Sequence, residues 1–278
     1  MPEDWHCAAR KYIQPHSDVL DREELDKGHQ AIGGDMSKDA PLKQLLNGFG
    51  DFRSLYLGER RDLFKQLVEQ GQAPKVLVIG CSDSRVDPAL LTSSQPGDLF
   101  VVRNVAAIVP PFETDRSHHG TSSAIEFAVR GLKVEHIVVL GHQMCGGVQA
   151  LGGQAHGFDF LDRWVSIMAC VREAVDVHDL TPEERQRALE QGCVLQSLRN
   201  LMTFPWIRTK VEEGSLALHG WYFDLKAGDL LSFAPDRGHF YPVSRPVVPD
   251  TDGAGCEPGC ACRALSSFLA VKKEEAVF

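Results

Sequence analysis

No apolar run in this chain approaches the roughly 18 residues that a membrane-spanning helix needs, so a helical membrane span is excluded. Basic residues are outnumbered: 29 Lys and Arg against 38 Asp and Glu leave a formal net charge of −9. That balance argues against a general affinity for phosphate backbones, and nucleic acid is not an expected partner. Small anions stay open, because a buried pocket sets its own local field. Internal repeats and low-complexity tracts are missing too, which excludes a repeat array. The opening Met1-Pro2-Glu3-Asp4-Trp5-His6-Cys7 lacks the basic stretch followed by an apolar stretch that marks a secretory signal. The expectation is therefore a cytoplasmic protein.

What is present fits an ordinary globular chain. The 278 residues, 43% hydrophobic and 24% charged, can bury a sizeable core in one or two domains. Eight cysteines occur, at 7, 81, 145, 170, 193, 256, 260 and 262. In a long chain without a signal segment they read as reduced or metal-bound thiols rather than a disulfide framework. Cys170 and Cys193 fall within apolar helical patterns and are expected to be small buried hydrophobes.

Apolar periodicity predicts helices over Pro41–Tyr56, Arg60–Gly71, Thr121–Leu132 and about Phe158–Val175, and a long one from Thr181 that Pro205 ends. Thr181-Pro182-Glu183-Glu184 has the makings of a capping box. Strands are expected at Lys75–Gly80, Asp98–Asn104, Glu135–Gly141, Ser215–Asp224 and Leu230–Ala234. Buried strands alternating with helices indicate an α/β fold: a mainly parallel sheet of four strands plus an antiparallel edge strand, flanked by helices, with an N-terminal helical arm. The chain divides on this reading into an extension over 1–40, a catalytic domain over 41–245 and a cysteine-containing tail over 246–278.

Ligands of such sheets sit at the carboxyl ends of strands. Two segments of unusual chemistry follow directly on apolar strands: Cys81-Ser82-Asp83-Ser84-Arg85 and His142-Gln143-Met144-Cys145-Gly146-Gly147. Two thiols and one imidazole make a Cys2His site for one Zn²⁺ through Cys81, His142 and Cys145. Three protein ligands leave a position for water, which separates catalytic from structural zinc. Asp83 and Arg85, two and four residues past Cys81, project to the same side of an extended segment. Arg85 can hold Asp83 bidentately and keep it ionised. Gly146 and Gly147 allow close backbone approach and open a helix whose N–H groups favour an anion.

These segments resemble the β-class carbonic anhydrases. The likeness runs over roughly residues 60–235 and includes Gln95-Pro96-Gly97-Asp98, Phe100-Val101-Val102-Arg103-Asn104-Val105-Ala106 and Ala124-Ile125-Glu126-Phe127-Ala128-Val129. It implies reversible hydration of CO2 to bicarbonate and a proton. In that scheme zinc-bound hydroxide, oriented by an Asp83–Arg85 dyad, attacks carbon. It further implies pocket walls from Gln72, Phe100 and Phe127 and contacts to the anion from Gly146 and Gly147. A homodimer or larger homo-oligomer is implied too, in which Gln72 and Phe100 lie across a subunit boundary and Pro41–Tyr56 is the candidate swapped arm.

Two departures stand out. Plant-like members carry Tyr at Phe127 and His at Gly131, so that proton route is missing; the loop residues His118 and His119 are the candidate substitutes. Val78 replaces a Trp that some bacterial members use to hold a regulatory bicarbonate, which points to the constitutively open, plant-like subtype. The competing readings are a CS2 or COS hydrolase on the same scaffold, and a non-catalytic zinc-stabilised or redox-sensing subunit. In the latter, Cys256, Cys260 and Cys262 would be the working part.

Overall fold

The computed structural model describes residues 40–243 except 116 and 154–156. The tail cysteines and the N-terminal extension lie outside the described residues. The chain divides into two compact units between Lys65 and Gln66.

The described part of the first unit is helical. Helix α1 (Ala40–Ser54) leads through a wide turn at Leu55–Glu59 into α2 (Arg61–Gln70), which straddles the division. No residue of α1 is buried, and Leu42, Leu45 and Phe49 are exposed. Phe52 packs against Tyr56 at 4.8 Å between ring centroids and edge-on to Phe64 at 5.8 Å.

The second unit is built on a six-stranded sheet: β1 (Val76–Cys81), β2 (Leu99–Asn104), β3 (His136–His142), β4 (Ala217–Asp224), β5 (Asp229–Ala234) and β6 (His239–Pro242), in the order β2-β1-β3-β4-β5-β6. The first four strands pair in parallel, and β5 and β6 are antiparallel additions. The parallel four and the antiparallel strand expected from sequence are all there. The sixth strand is additional; its four residues are too few to show a period of two.

The helices of this unit are α3 (Pro88–Thr92), α4 (Gly120–Glu126), α5 (Gly146–Gly152), α6 (Leu161–Val165), α7 (Ala169–Asp176), α8 (Pro182–Leu201) and α9 (Pro205–Glu212). The Thr181 side chain caps α8 and Glu184 closes the box on the Thr181 N–H at 2.9 Å. Pro205 does not simply end that helix. It takes the first position of α9, where its missing N–H costs nothing. The expected 158–175 helix is broken by a 3-10 turn at Ser166–Met168. Helix α4 continues as a wide turn over Phe127–Leu132. Among the described residues no helix is long and apolar enough to cross a membrane.

The main core lies on one sheet face, where Leu77, Ile79, Ile137 and Val139 meet Leu189, Val194, Leu195, Leu198 and Leu201 of α8. A smaller cluster of Val78, Val138 and Leu140 lines the other face. Cys193 is buried as expected; Cys170 is not, because it falls on the outer side of α7. Helix α8 can press onto the sheet because β3 offers a glycine there. A Cβ on Gly141 would stand 2.5 Å from Val194 Cγ2. Gly141→Ala is therefore expected to destabilise the protein by about 1–3 kcal/mol, the usual cost of overpacking, read as a lowered urea midpoint at unchanged m-value.

Candidate metal centre

Parallel pairing builds the centre. Cys81 ends β1, where it pairs with Asn104 of β2, and His142 ends the neighbouring β3. Cys145 follows three residues later as the cap of α5, in extended conformation. Between His142 and Cys145, Met144 adopts φ 58°, the left-handed region that non-glycine residues rarely enter. That reversal brings Cys145 back toward β1. The Cys81 and Cys145 sulfurs lie 3.8 Å apart, and both sulfurs and a ring nitrogen of His142 fall within 4.8 Å of one another. All three residues are buried.

The donor set fits a metal. Nδ1 of His142 lies 2.9 Å from the Gln143 carbonyl, so it carries the proton and donates it there. Nε2 is then left with a free lone pair, and it is the buried side-chain nitrogen without a hydrogen-bond partner among the described residues. A buried acceptor with nothing to accept is costly; a metal ion between it and the two sulfurs removes the cost. Without a metal the sulfurs share one proton. The bond from Cys145 holds the Cys81 thiol well below the usual thiol range against its burial. The same bond and burial push the Cys145 thiol far up. A divalent cation deprotonates both.

Asp83 and Arg85 lie beside this group. The Arg85 backbone N–H and Nε each donate to Asp83 Oδ1 at 2.9 Å, and Nη2 donates to Oδ2 at 2.7 Å. Nη2 also reaches the Met144 carbonyl at 3.2 Å. Asp83 Oδ2 is 4.0 Å from His142 Nε2. The Arg85 guanidinium keeps the Asp83 carboxyl far below the usual carboxylate range. Any stability this gives is present above the ordinary carboxylate pKa and lost only as the pH falls through the lowered one. The pair is thus ionised throughout the neutral and alkaline range.

Sequence reasoning places Arg103 and Asn104 at a strand end beside the site but gives them no role, and it misses the other supports. Arg103 binds the Cys81 carbonyl at 2.9 Å, the Asp83 carbonyl at 2.6 Å and the Asp87 carboxylate at 2.8 Å. Asp87 in turn caps α3 through the Ala89 and Leu90 N–H groups. One guanidinium thereby holds the segment carrying Cys81, Asp83 and Arg85. Ser197 and Asn200 of α8 hold the loop after β2, by accepting from the Val109 N–H at 3.1 Å and donating to the Val109 carbonyl at 2.8 Å. The available signal was polar residues inside the apolar pattern of α8.

The expected walls are placed differently from the metal ligands. Gly147 is buried at the start of α5, and a Cβ there would stand 2.5 Å from Val105 Cγ1. Its bareness admits the 105–106 loop, whereas Gly146 has open space around it. Phe100 and Phe127 pair with each other at 5.8 Å, and Phe127 is half exposed. Phe100 pairs with Leu77 near the start of β1, four residues or about 13 Å along the strand from Asn104. Gln72 is exposed just ahead of β1. Within one chain these three are not brought to the metal group. The position of Gly131 lies against the Phe127 ring, 3.3 Å from where a Cβ would be. His119 is bonded to Asp115, and His118 is exposed.

Cys145→Ser is expected to lose most of the bound zinc, measured by metal analysis after dialysis, because a hydroxyl is a far poorer ligand than a thiolate. Full zinc retention would remove Cys145 from the ligand set.

The sequence profile of the carbonic anhydrase family matches residues 76–230. A carbonic anhydrase of Synechocystis sp. is 36% identical over 69% of this chain and 71% of its own length. The chloroplastic β carbonic anhydrase 5 of Arabidopsis thaliana is 39% identical over 62% of this chain and 58% of its own. Among solved structures, the β-carbonic anhydrase CcaA superposes with a TM-score of 0.69 at 33% identity, covering 74% of this chain and 93% of that one. A tetrameric β-carbonic anhydrase of Sordaria macrospora gives 0.60 at 33% identity, over 72% and 98%. With the profile spanning more than half its residues, the chain belongs to the carbonic anhydrase family, as a zinc enzyme of the β class.

Proposed function

We propose that this chain hydrates CO2 reversibly to bicarbonate and a proton. Cys81, His142 and Cys145 hold zinc, and the Asp83–Arg85 dyad orients the attacking water. The observation that carries the reading is the convergence of two buried sulfurs and the partnerless Nε2 of His142 on one point, beside a carboxylate engaged by an arginine. Zinc, when bound, lowers the pKa of water at its open position and stabilises charge developing on oxygen.

Asp83 is an acceptor only, since it is ionised. It accepts a hydrogen bond from the attacking water, without taking its proton, and so turns the oxygen lone pair toward carbon. Arg85 occupies both Asp83 oxygens and so keeps the carboxylate from closing on the metal, which is the open-site form. The new C–O bond forms as one C=O pair of CO2 moves onto oxygen, and the proton lost by water passes to solvent. Gly146 leaves room for the bicarbonate so formed, next to the first N–H groups of α5. Two thiolates cancel the charge of Zn²⁺, so activity should rise toward alkaline pH. The site needs free thiolates, which suits a reducing compartment such as the cytoplasm.

Gln72, Phe100 and Phe127 complete the pocket in an oligomer. Their distance from the chain's own metal group supports a neighbouring subunit supplying them, and tetrameric relatives support assembly. The functional unit is then at least a homodimer, and sedimentation of the purified protein should show no active monomer. A fully active monomer would remove this part.

Stopped-flow CO2 hydration across pH 6–9, with COS and CS2 turnover on the same sample, tests the activity. Rapid CO2 turnover increasing with pH is expected; turnover of COS or CS2 without CO2 hydration would overturn the assignment. Arg85→Ala should keep its zinc and lose about 10–100-fold in rate, the usual effect of freeing a group that orients a metal site. A near-normal rate would remove the dyad from the mechanism.

A further inference from the structure

Glu190 is a carboxylic residue only 2% exposed, in the middle of α8, and neither the metal group nor the dyad uses it. Its Oε1 accepts the Cys145 backbone N–H at 3.0 Å and the Gln186 amide at 2.7 Å. Its Oε2 accepts the Tyr222 hydroxyl at 2.6 Å. We infer that Glu190 is a positioning residue of the metal centre, a peg that fixes the Cys145 backbone and so aims its sulfur.

Three observations carry this. Cys145 precedes α5 as its cap, so the helix that follows does not use its N–H. The residue before it is the left-handed Met144, a backbone state that persists only where the surroundings enforce it. The base of the peg is rigid: Glu190 sits one turn before Val194, which packs onto Gly141, and the Glu190 carbonyl oxygen lies 3.8 Å from a Cβ built on Gly141. Tyr222 pairs with Gly141 in the β3–β4 register. One frame of β3, β4 and α8 thus holds His142 directly, as the end of β3, and Cys145 through the carboxylate.

The inference rests on the zinc reading above, and the two fail differently. Failure of the wild-type chain to bind zinc would remove the centre; the ranking of Glu190 variants tests the peg alone. The experiment uses the full chain as Glu190→Gln, Glu190→Asp and Glu190→Leu. Zinc affinity is measured by competition with a chromophoric chelator, and the thiolate-to-metal charge-transfer band is recorded after Co²⁺ loading.

Glutamine keeps the reach: its carbonyl oxygen accepts from Cys145 and its amide donates to the Tyr222 oxygen. Near-wild-type affinity and an unshifted band are expected. Aspartate is one methylene short and leucine cannot accept, so both should lose about 10–100-fold in zinc affinity, as loss of an outer partner does, with a shifted band. A residue kept only for its charge would rank aspartate above glutamine, and a space-filler would rank leucine level with glutamine. Either ranking overturns the inference, as does wild-type affinity throughout the series. Should aspartate and leucine both fail to fold, Tyr222→Phe decides. It releases Oε2 alone and should weaken zinc binding by a smaller factor in a folded protein; unchanged affinity and band overturn the peg.

Discussion

Parallel pairing of β1 with both β2 and β3 is the constraint on which the rest depends. It sets three strand ends side by side at the carboxyl end of the sheet, with Asn104 and His142 on either side of Cys81 although they are far apart in sequence. Asp83, Arg85 and Cys145 are then added by the segments that follow β1 and β3. Because the strands are buried on the α8 face, their register cannot slip without turning Leu77, Ile79, Ile137 and Val139 out of the core. The hydrophobic core therefore fixes where Cys81 and His142 stand.

Loops alone would not hold such a site, since a loop bends at little cost. Here each loop is tied down by a charged or polar group rooted in a regular element. Arg103 ties the 81–87 segment to β2. Ser197 and Asn200 tie the loop after β2 to α8. The left-handed Ala106 and Ala107 lie between these ties, and the left-handed Met144 lies between the Arg85 bond to its own carbonyl and the Glu190 bond to the next N–H; there surrounding bonds can enforce an unfavourable backbone. Helix α8 thus does two jobs with one sequence: its leucines and valines bury the sheet, and its polar residues peg the loops.

Within one chain the centre keeps its candidate donors apart from the expected pocket walls. Its metal ligands are deeply buried, yet the apolar residues expected around the substrate lie elsewhere on the sheet, with Phe127 half exposed. Helix α1 buries nothing although it carries leucines and phenylalanines at helical spacing. Leu42, Leu45, Phe49 and Phe127 are thus apolar side chains left exposed in the single chain.

The sequence by itself determined the α/β class, the five longer strands and the chemistry of the centre. The central strands β1 and β3 show as runs of valine, isoleucine and leucine because they are buried on both faces, and Cys, His, Asp and Arg announce themselves by type and by their place at or just past the ends of those runs. The capping box at Thr181 was legible for the same reason, being a local pattern read by local bonds. What only the tertiary structure decided is everything set by contacts between distant segments. The four residues of β6 are a strand because β5 lies beside them. Pro205 opens a helix because the chain turns at Phe204 rather than stopping there. Glu190 reads as an ordinary helix former until the fold places Cys145 and Tyr222 at its two oxygens, and Cys170 differs from Cys193 only in which side of its helix meets the core. Local pattern reports what a residue can do; its partners are fixed by the closing of the core.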